Sequence, residues 1–139
     1  NKKFSVQTNP DNEVLPLMGS KEGIMHISMA FLNEGDKVLI PNPGYPTYTS
    51  VTKLVGAEPL FYDLSDEKKW QPDFEALENQ DLTDVKIMWV NYPHMPTGTN
   101  ATLDTFKIQY THASTGVTFR GVYVKTKNST AYAAFDAEL

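Results

Sequence analysis

A chain of 139 residues, 40% hydrophobic and 21% charged, has the make-up of one globular domain large enough to bury a core without staples. Its net charge of −5 argues against a nucleic-acid partner, and no apolar run is long enough to span a bilayer. The absence of cysteine removes disulfides, thiolate metal sites and cysteine nucleophiles, so a cytoplasmic protein is expected.

Residues 4–18 read as an irregular lead-in, with Asn9-Pro10-Asp11-Asn12 as a turn cluster. Residues 20–33 read as a helix, because Ile24, Ile27, Ala30 and Phe31 recur at helical spacing and Asn33-Glu34-Gly35 supplies a stop. Lys37-Val38-Leu39-Ile40 is a short apolar run fit for a buried strand, broken by Pro41-Asn42-Pro43-Gly44. Residues 46–55 predict a second helix ending at Gly56, with Pro46 near its start, where a missing N–H costs little. Residues 58–62 predict a strand, 63–70 a polar loop, and Asp73 the cap of a short helix through Phe74, Leu77 and Glu78. Residues 86–91 form the clearest apolar strand and are expected at the centre of a sheet. Residues 93–98 predict a turn, and residues 101–106 the opening of another helix. This alternation of helix and strand predicts an α/β fold with a mostly parallel sheet. Beyond Lys107 the helical period disappears, and Val117-Thr118-Phe119 and Gly121-Val122-Tyr123-Val124 favour extended, β-rich structure. If the chain folds alone, these tail strands are expected to cover an open edge of the main sheet.

Three segments carry chemistry. Gly19-Ser20-Lys21-Glu22-Gly23 leads into a helix, and helix N-termini point free N–H groups and a positive dipole end outward. With the Ser20 hydroxyl and the Lys21 charge, such a turn suits a phosphate; a plain helix start is the alternative, and Glu22 fits it equally. Tyr45 follows the strand at 37–40, at the carboxyl edge where ligands sit in open α/β sheets. There it stacks on a flat heterocycle or merely packs on the loop prolines. Tyr92 and His94 follow the strand at 86–91, again at a carboxyl edge. His94 is either a proton shuttle or, more commonly for a His between two prolines, a turn residue.

Taken together, Gly19–Gly23, the Pro43-Gly44-Tyr45-Pro46 turn and the run from Asn91 to Gly98 resemble the class I/II, fold-type I, pyridoxal-phosphate (PLP) aminotransferases. The resemblance covers about residues 4–106 and implies part of a three-layer large domain, with residues 107–139 as a tail of other origin. It implies that Ser20 and Lys21 bind the cofactor phosphate and that Tyr45 stacks on the pyridine ring. It implies a small-molecule amino acid and 2-oxo acid as substrates, and a homo-oligomer. Met95 stands where the family has an Asn that hydrogen-bonds the cofactor, and a thioether cannot donate that bond. The family's Schiff-base lysine motif is not found after Gly98, and a single arginine, Arg120, is thin equipment for reading carboxylates. Lys125 and Lys127 share one face of an extended stretch and read as a solvated surface. The expectation is a truncated, frameshifted or fused member, inactive as this chain alone. The alternative is a non-catalytic α/β module that holds a phosphate-bearing ligand or assembles with a partner chain.

Overall fold

The computed structural model describes residues 7–101, 109–111, 118–124 and 132–138. Among these, α1 spans Ser20–Phe31, β1 Lys37–Asn42, α2 Pro46–Leu54, β2 Glu58–Asp63, α3 Phe74–Glu78 and β3 Val85–Met88. The strands form a parallel sheet in the order β2-β1-β3, with Leu39 opposite Leu60 on one side and Met88 on the other. The lead-in is irregular as expected, with the amide of Glu13 bonded to the Asn9 carbonyl at 2.9 Å. The end of the helix proposed from residue 101 falls on residues 102–106, outside those described.

Side chains alternate across β1, so its run of buried residues serves two cores. Val38 and Ile40 join Ile24 of α1, Tyr48 and Val51 of α2, Ile87 of β3 and Trp89 on one face. Leu39 joins Tyr62 of β2, Leu64 and Leu77 of α3 on the other. The result is helix, sheet, helix, three layers around a central β1. Val38 and Ile40 are 0% and 1% exposed. Burial of each contributes about 1.5–3 kcal/mol, which explains why a strand of ordinary length organises the domain.

Two expectations are corrected here. The strand beginning near residue 86 is not central among the described strands; β3 is short and lies at the edge, while β1 occupies the middle. Lys86 is exposed and Ile87 buried, the alternation of a strand with less cover than β1. Nor does α1 bury the whole of the face first expected: Ile24 is buried and Ile27 packs partly against the core, but Ala30 and Phe31 are exposed. Ile24 and Ser28 face the core, followed by Leu32, whereas Phe31 is 68% exposed.

In the tail, β4 (Gln109–Thr111), β5 (Thr118–Val124) and β6 (Tyr132–Glu138) form an antiparallel sheet of their own, in that order. Among the described residues, the edge-covering expected of the tail is therefore not made by strand pairing, since the ladder partners of β4, β5 and β6 lie within the tail. Antiparallel neighbours close short loops, which costs less entropy than pairing with a distant edge. Lys125 and Lys127 fall outside the described residues.

Candidate functional site

The ladder between β1 and β3 stops at the carboxyl edge for a chemical reason. The amide of Trp89 donates to the Leu39 carbonyl at 2.9 Å. In a parallel ladder the next donor, aimed at the Trp89 carbonyl, is the amide of residue 41. That residue is Pro41, which has none. The hydroxyl of Tyr62, from β2, takes its place and donates to the Trp89 carbonyl at 2.7 Å. Regular pairing between β1 and β3 thus ends just where the two site loops leave the sheet.

The first loop, Asn42 to Tyr45, turns tightly into α2. A Cβ on Gly44 would land on the Pro41 carbonyl oxygen and lie 2.9 Å from Pro41 Cγ, so only glycine fits without displacement. Tyr45 caps the helix start in extended conformation and is half-buried against the core. Its ring meets Tyr48 edge-on at 5.7 Å, and Tyr48 stacks on Trp89 at 4.9 Å with the planes 8° apart. Burial, with Tyr45 adding to it, raises the Tyr48 hydroxyl to about 12 and keeps it neutral. Tyr45 therefore sits on a rigid aromatic base.

The second loop holds Tyr92 and His94, both buried at 2% exposure. The Tyr92 hydroxyl donates to the Trp70 carbonyl at 2.6 Å, and burial raises it to about 12. The turn closes on itself through Gly98 N–H to the His94 carbonyl at 2.6 Å and His94 N–H to the Thr99 carbonyl at 2.7 Å. Gly98 adopts φ +76°, the left-handed conformation that favours glycine. The His94 ring bridges the loops: Nε2 lies 3.0 Å from the Pro43 carbonyl and Nδ1 2.8 Å from Thr97 Oγ1. A carbonyl only accepts, so Nε2 carries the proton and Nδ1 of the neutral ring accepts from the Thr97 hydroxyl. Both nitrogens are occupied within the fold, which favours the turn residue over the proton shuttle. Met95 is 51% exposed.

The third segment is the start of α1. Gly19 is its N-cap and supplies no side-chain hydrogen bond, so the first-turn amides lack a side-chain acceptor from the cap. Ser20 and Lys21 are exposed at this end. Glu22 folds back to accept from the Met18 amide at 2.8 Å and lies 3.4 Å from His26 Nε2. Those bonds, the Met18 one first, lower its carboxyl below the usual range. Tyr45, Tyr92 and His94 come together at the carboxyl edge. Ser20 and Lys21 are tied to them only indirectly, since Ile24 of α1 shares the core cluster against which Tyr45 packs.

Sequence reasoning did not single out Tyr48, Tyr62 or Trp89, and took Thr97 only as part of the turn ending at Gly98. The signal for Tyr62 is Pro41 inside a strand, which demands another donor at the next ladder position. Among the described residues, no group of three His, Asp or Glu side chains is arranged to hold a metal ion.

Loops gathered at the carboxyl ends of a parallel sheet occupy the place where ligands bind in open α/β folds. The model of the family described as aminotransferase class I and II matches residues 2–114, past the boundary expected near residue 106. The chain belongs to that family. An LL-diaminopimelate aminotransferase of Dehalococcoides mccartyi is 50% identical over 106 residues, 76% of this chain and 27% of the relative. The enzyme of that name from Natranaerobius thermophilus is 42% identical over 111 residues, 80% of this chain and 28% of its own. The apo-BacF structure from Bacillus subtilis superposes with a TM-score of 0.68 at 37% identity, over 76% of this chain and 27% of that one. An aromatic aminotransferase structure from Pyrococcus horikoshii gives a TM-score of 0.69 at 25% identity, over 76% and 28%. The chain thus spans about a quarter of the length of the proteins it matches.

Proposed function

We propose that this chain carries the phosphate- and ring-holding part of a PLP site, within a protein that transfers an amino group from an amino acid to a 2-oxo acid. Residues 1–106 form part of the large domain in this reading, and residues 107–139 a β-rich tail of separate origin. The observation that carries it is the clasp of the Tyr45 loop to the Pro96-Thr97-Gly98 turn at the carboxyl edge, in a chain of the aminotransferase family. The residues fit the phosphate and ring of the cofactor. Gly19 has open space around it and leaves the first-turn amides without a capping side chain. Tyr45 offers a ring face on a fixed base. Four of the described lysines are not placed as a covalent anchor. Lys37 and Lys86 lie toward the amino ends of β1 and β3, Lys53 is in the last turn of α2, and Lys68 is paired with Asp73.

In this reading the Ser20 amide and hydroxyl donate to the phosphate, and the Lys21 ammonium offsets its charge. Tyr45 stacks on the pyridine, while Met95 gives it no hydrogen bond. PLP, when bound, supplies an electron sink for bonds at the substrate α-carbon. LL-diaminopimelate, named in the curated relatives, is the proposed amino-acid substrate of the whole protein, which is proposed as a cytoplasmic homo-oligomer. The chain alone is proposed to lack turnover. The test adds PLP, LL-diaminopimelate and a 2-oxo acid to the purified 139-residue chain. The expected result is no amino-group transfer above that of free PLP; catalytic turnover by the chain would overturn the reading.

A further inference from the structure

We propose that His94 is a positioning residue for Tyr45: it locks the loop after β1 to the turn after β3 and so fixes the attitude of the ring on which a flat ligand stacks. This inference rests on the cofactor reading of Tyr45 given above. Tyr45 lies two residues from Pro43, whose carbonyl is the only part of the first loop bonded to the His94 ring. The bond joins positions 51 apart in the chain, so it is a tertiary tie and not local turn chemistry. On the other side, Thr97 Oγ1 meets Nδ1 at 2.8 Å, and Thr97 and Thr99 hydroxyls are 3.2 Å apart. The imidazole is thus held on one side by the first loop, through the Pro43 carbonyl, and on the other by the second turn, through the Thr97 hydroxyl.

The tie matters because the backbone cannot provide it. Pro41 ends the β1–β3 ladder, and Pro43 has no N–H to offer the facing loop. Between the ladder's last bond at Leu39 and the helix α2, the His94 ring supplies the cross-link that the sheet lacks. A ring with one donor and one acceptor, at 2% exposure, fits a neutral spacer of fixed length. A merely structural histidine would contribute to folding but would leave the ring of Tyr45 unaffected once the domain is folded. A positioning residue shows energetic coupling to Tyr45.

The test is a double-mutant cycle on the 139-residue chain, read by equilibrium titration with pyridoxamine 5′-phosphate, which forms no covalent bond to lysine. Folded His94→Leu is expected to bind about tenfold more weakly, the scale of losing one buried hydrogen-bonding partner. His94→Gln, which keeps a donor for Pro43, is expected to recover most of the affinity. Tyr45→Ala is expected to cost little further in the His94→Leu background. Unchanged affinity in His94→Leu, or losses that multiply independently, overturn the proposal. If His94→Leu does not fold, Thr97→Val removes the hydroxyl while keeping the shape and carries the same cycle. If the unvaried chain binds no pyridoxamine phosphate, the cofactor reading fails by itself. His94 is then judged in the free chain by the NMR signals of the Tyr45 ring. Movement of those signals in Thr97→Val supports positioning, and unmoved signals overturn it.

Discussion

His94 shows how a buried polar group trades solvent for fixed partners. Burial pushes its pKa below the ordinary 6.5, and the Pro43 carbonyl, which accepts from Nε2–H, pulls it partly back. The described groups around the ring are uncharged: the Thr97 hydroxyl, the Pro43 carbonyl and the Tyr92 ring at 5.8 Å. As pH falls, the unfolded chain takes up its proton near 6.5, before the folded one does. The stabilisation is therefore complete above that value, declines as pH drops toward the lower folded value, and levels off beneath it. Urea melts between about pH 7.5 and pH 5 are expected to show this decline, and His94→Gln to flatten it. The lowered carboxyls of Glu22, Asp73 and Asp81 act separately, since their contributions are lost only as pH falls below 4.5 and 3.8. A second residue-level prediction concerns Gly44. Gly44→Ala forces a Cβ onto the Pro41 carbonyl and is expected to cost about 1–3 kcal/mol, read as a lower urea midpoint. The places of Lys21 in the first turn of α1 and of Tyr45 just before α2 were legible from local motifs. The role of His94 was not, because its decisive partner lies 51 positions away.

Among elements, the apolar part of β1 and the start of α2 were readable because their signals are local, an apolar run and a proline at a helix start, but β1 runs on through Pro41 and Asn42, which were expected to break it and instead pair with β2. The observed α2, Pro46–Leu54, ends close to the expected Gly56, and Asp73 caps α3 by accepting from the Ala76 amide at 3.3 Å. The length and position of β3 were not readable, because they depend on what Pro41 fails to donate across the ladder. Likewise the face of α1 was only partly readable: Ile24 and Ile27 pack as expected, but Ser28, polar yet 0% exposed, hides the Ile24, Ser28, Leu32 stripe. The Pro41 account makes its own prediction. Tyr62→Phe keeps the packing but removes the donor that replaces the missing amide, leaving the Trp89 carbonyl without that partner. A loss of about 1–3 kcal/mol is expected from urea denaturation. An unchanged midpoint would contradict the assignment of the Tyr62 hydroxyl as a substitute ladder donor.

At the scale of the whole molecule, α/β layering and family were legible, because three motifs fall in order at strand ends and helix starts. That the described tail strands pair with one another was not, since extended propensity does not say which edge a strand will join. The chain spans 27% of the length of its Dehalococcoides relative, and in the proposed reading its three motifs form one side of a site. The central claim is that this side holds a phosphate and a flat ring without a covalent anchor. It is tested most directly by titrating the 139-residue chain with pyridoxamine 5′-phosphate and, in parallel, with pyridoxamine lacking the phosphate. The account predicts saturable binding of the phosphorylated ligand, weakened at least about tenfold by loss of the phosphate and by Tyr45→Ala, as expected when charge-assisted bonds and a stacked ring are removed. Equal binding of the two ligands, no saturable binding, or indifference to Tyr45→Ala would contradict it.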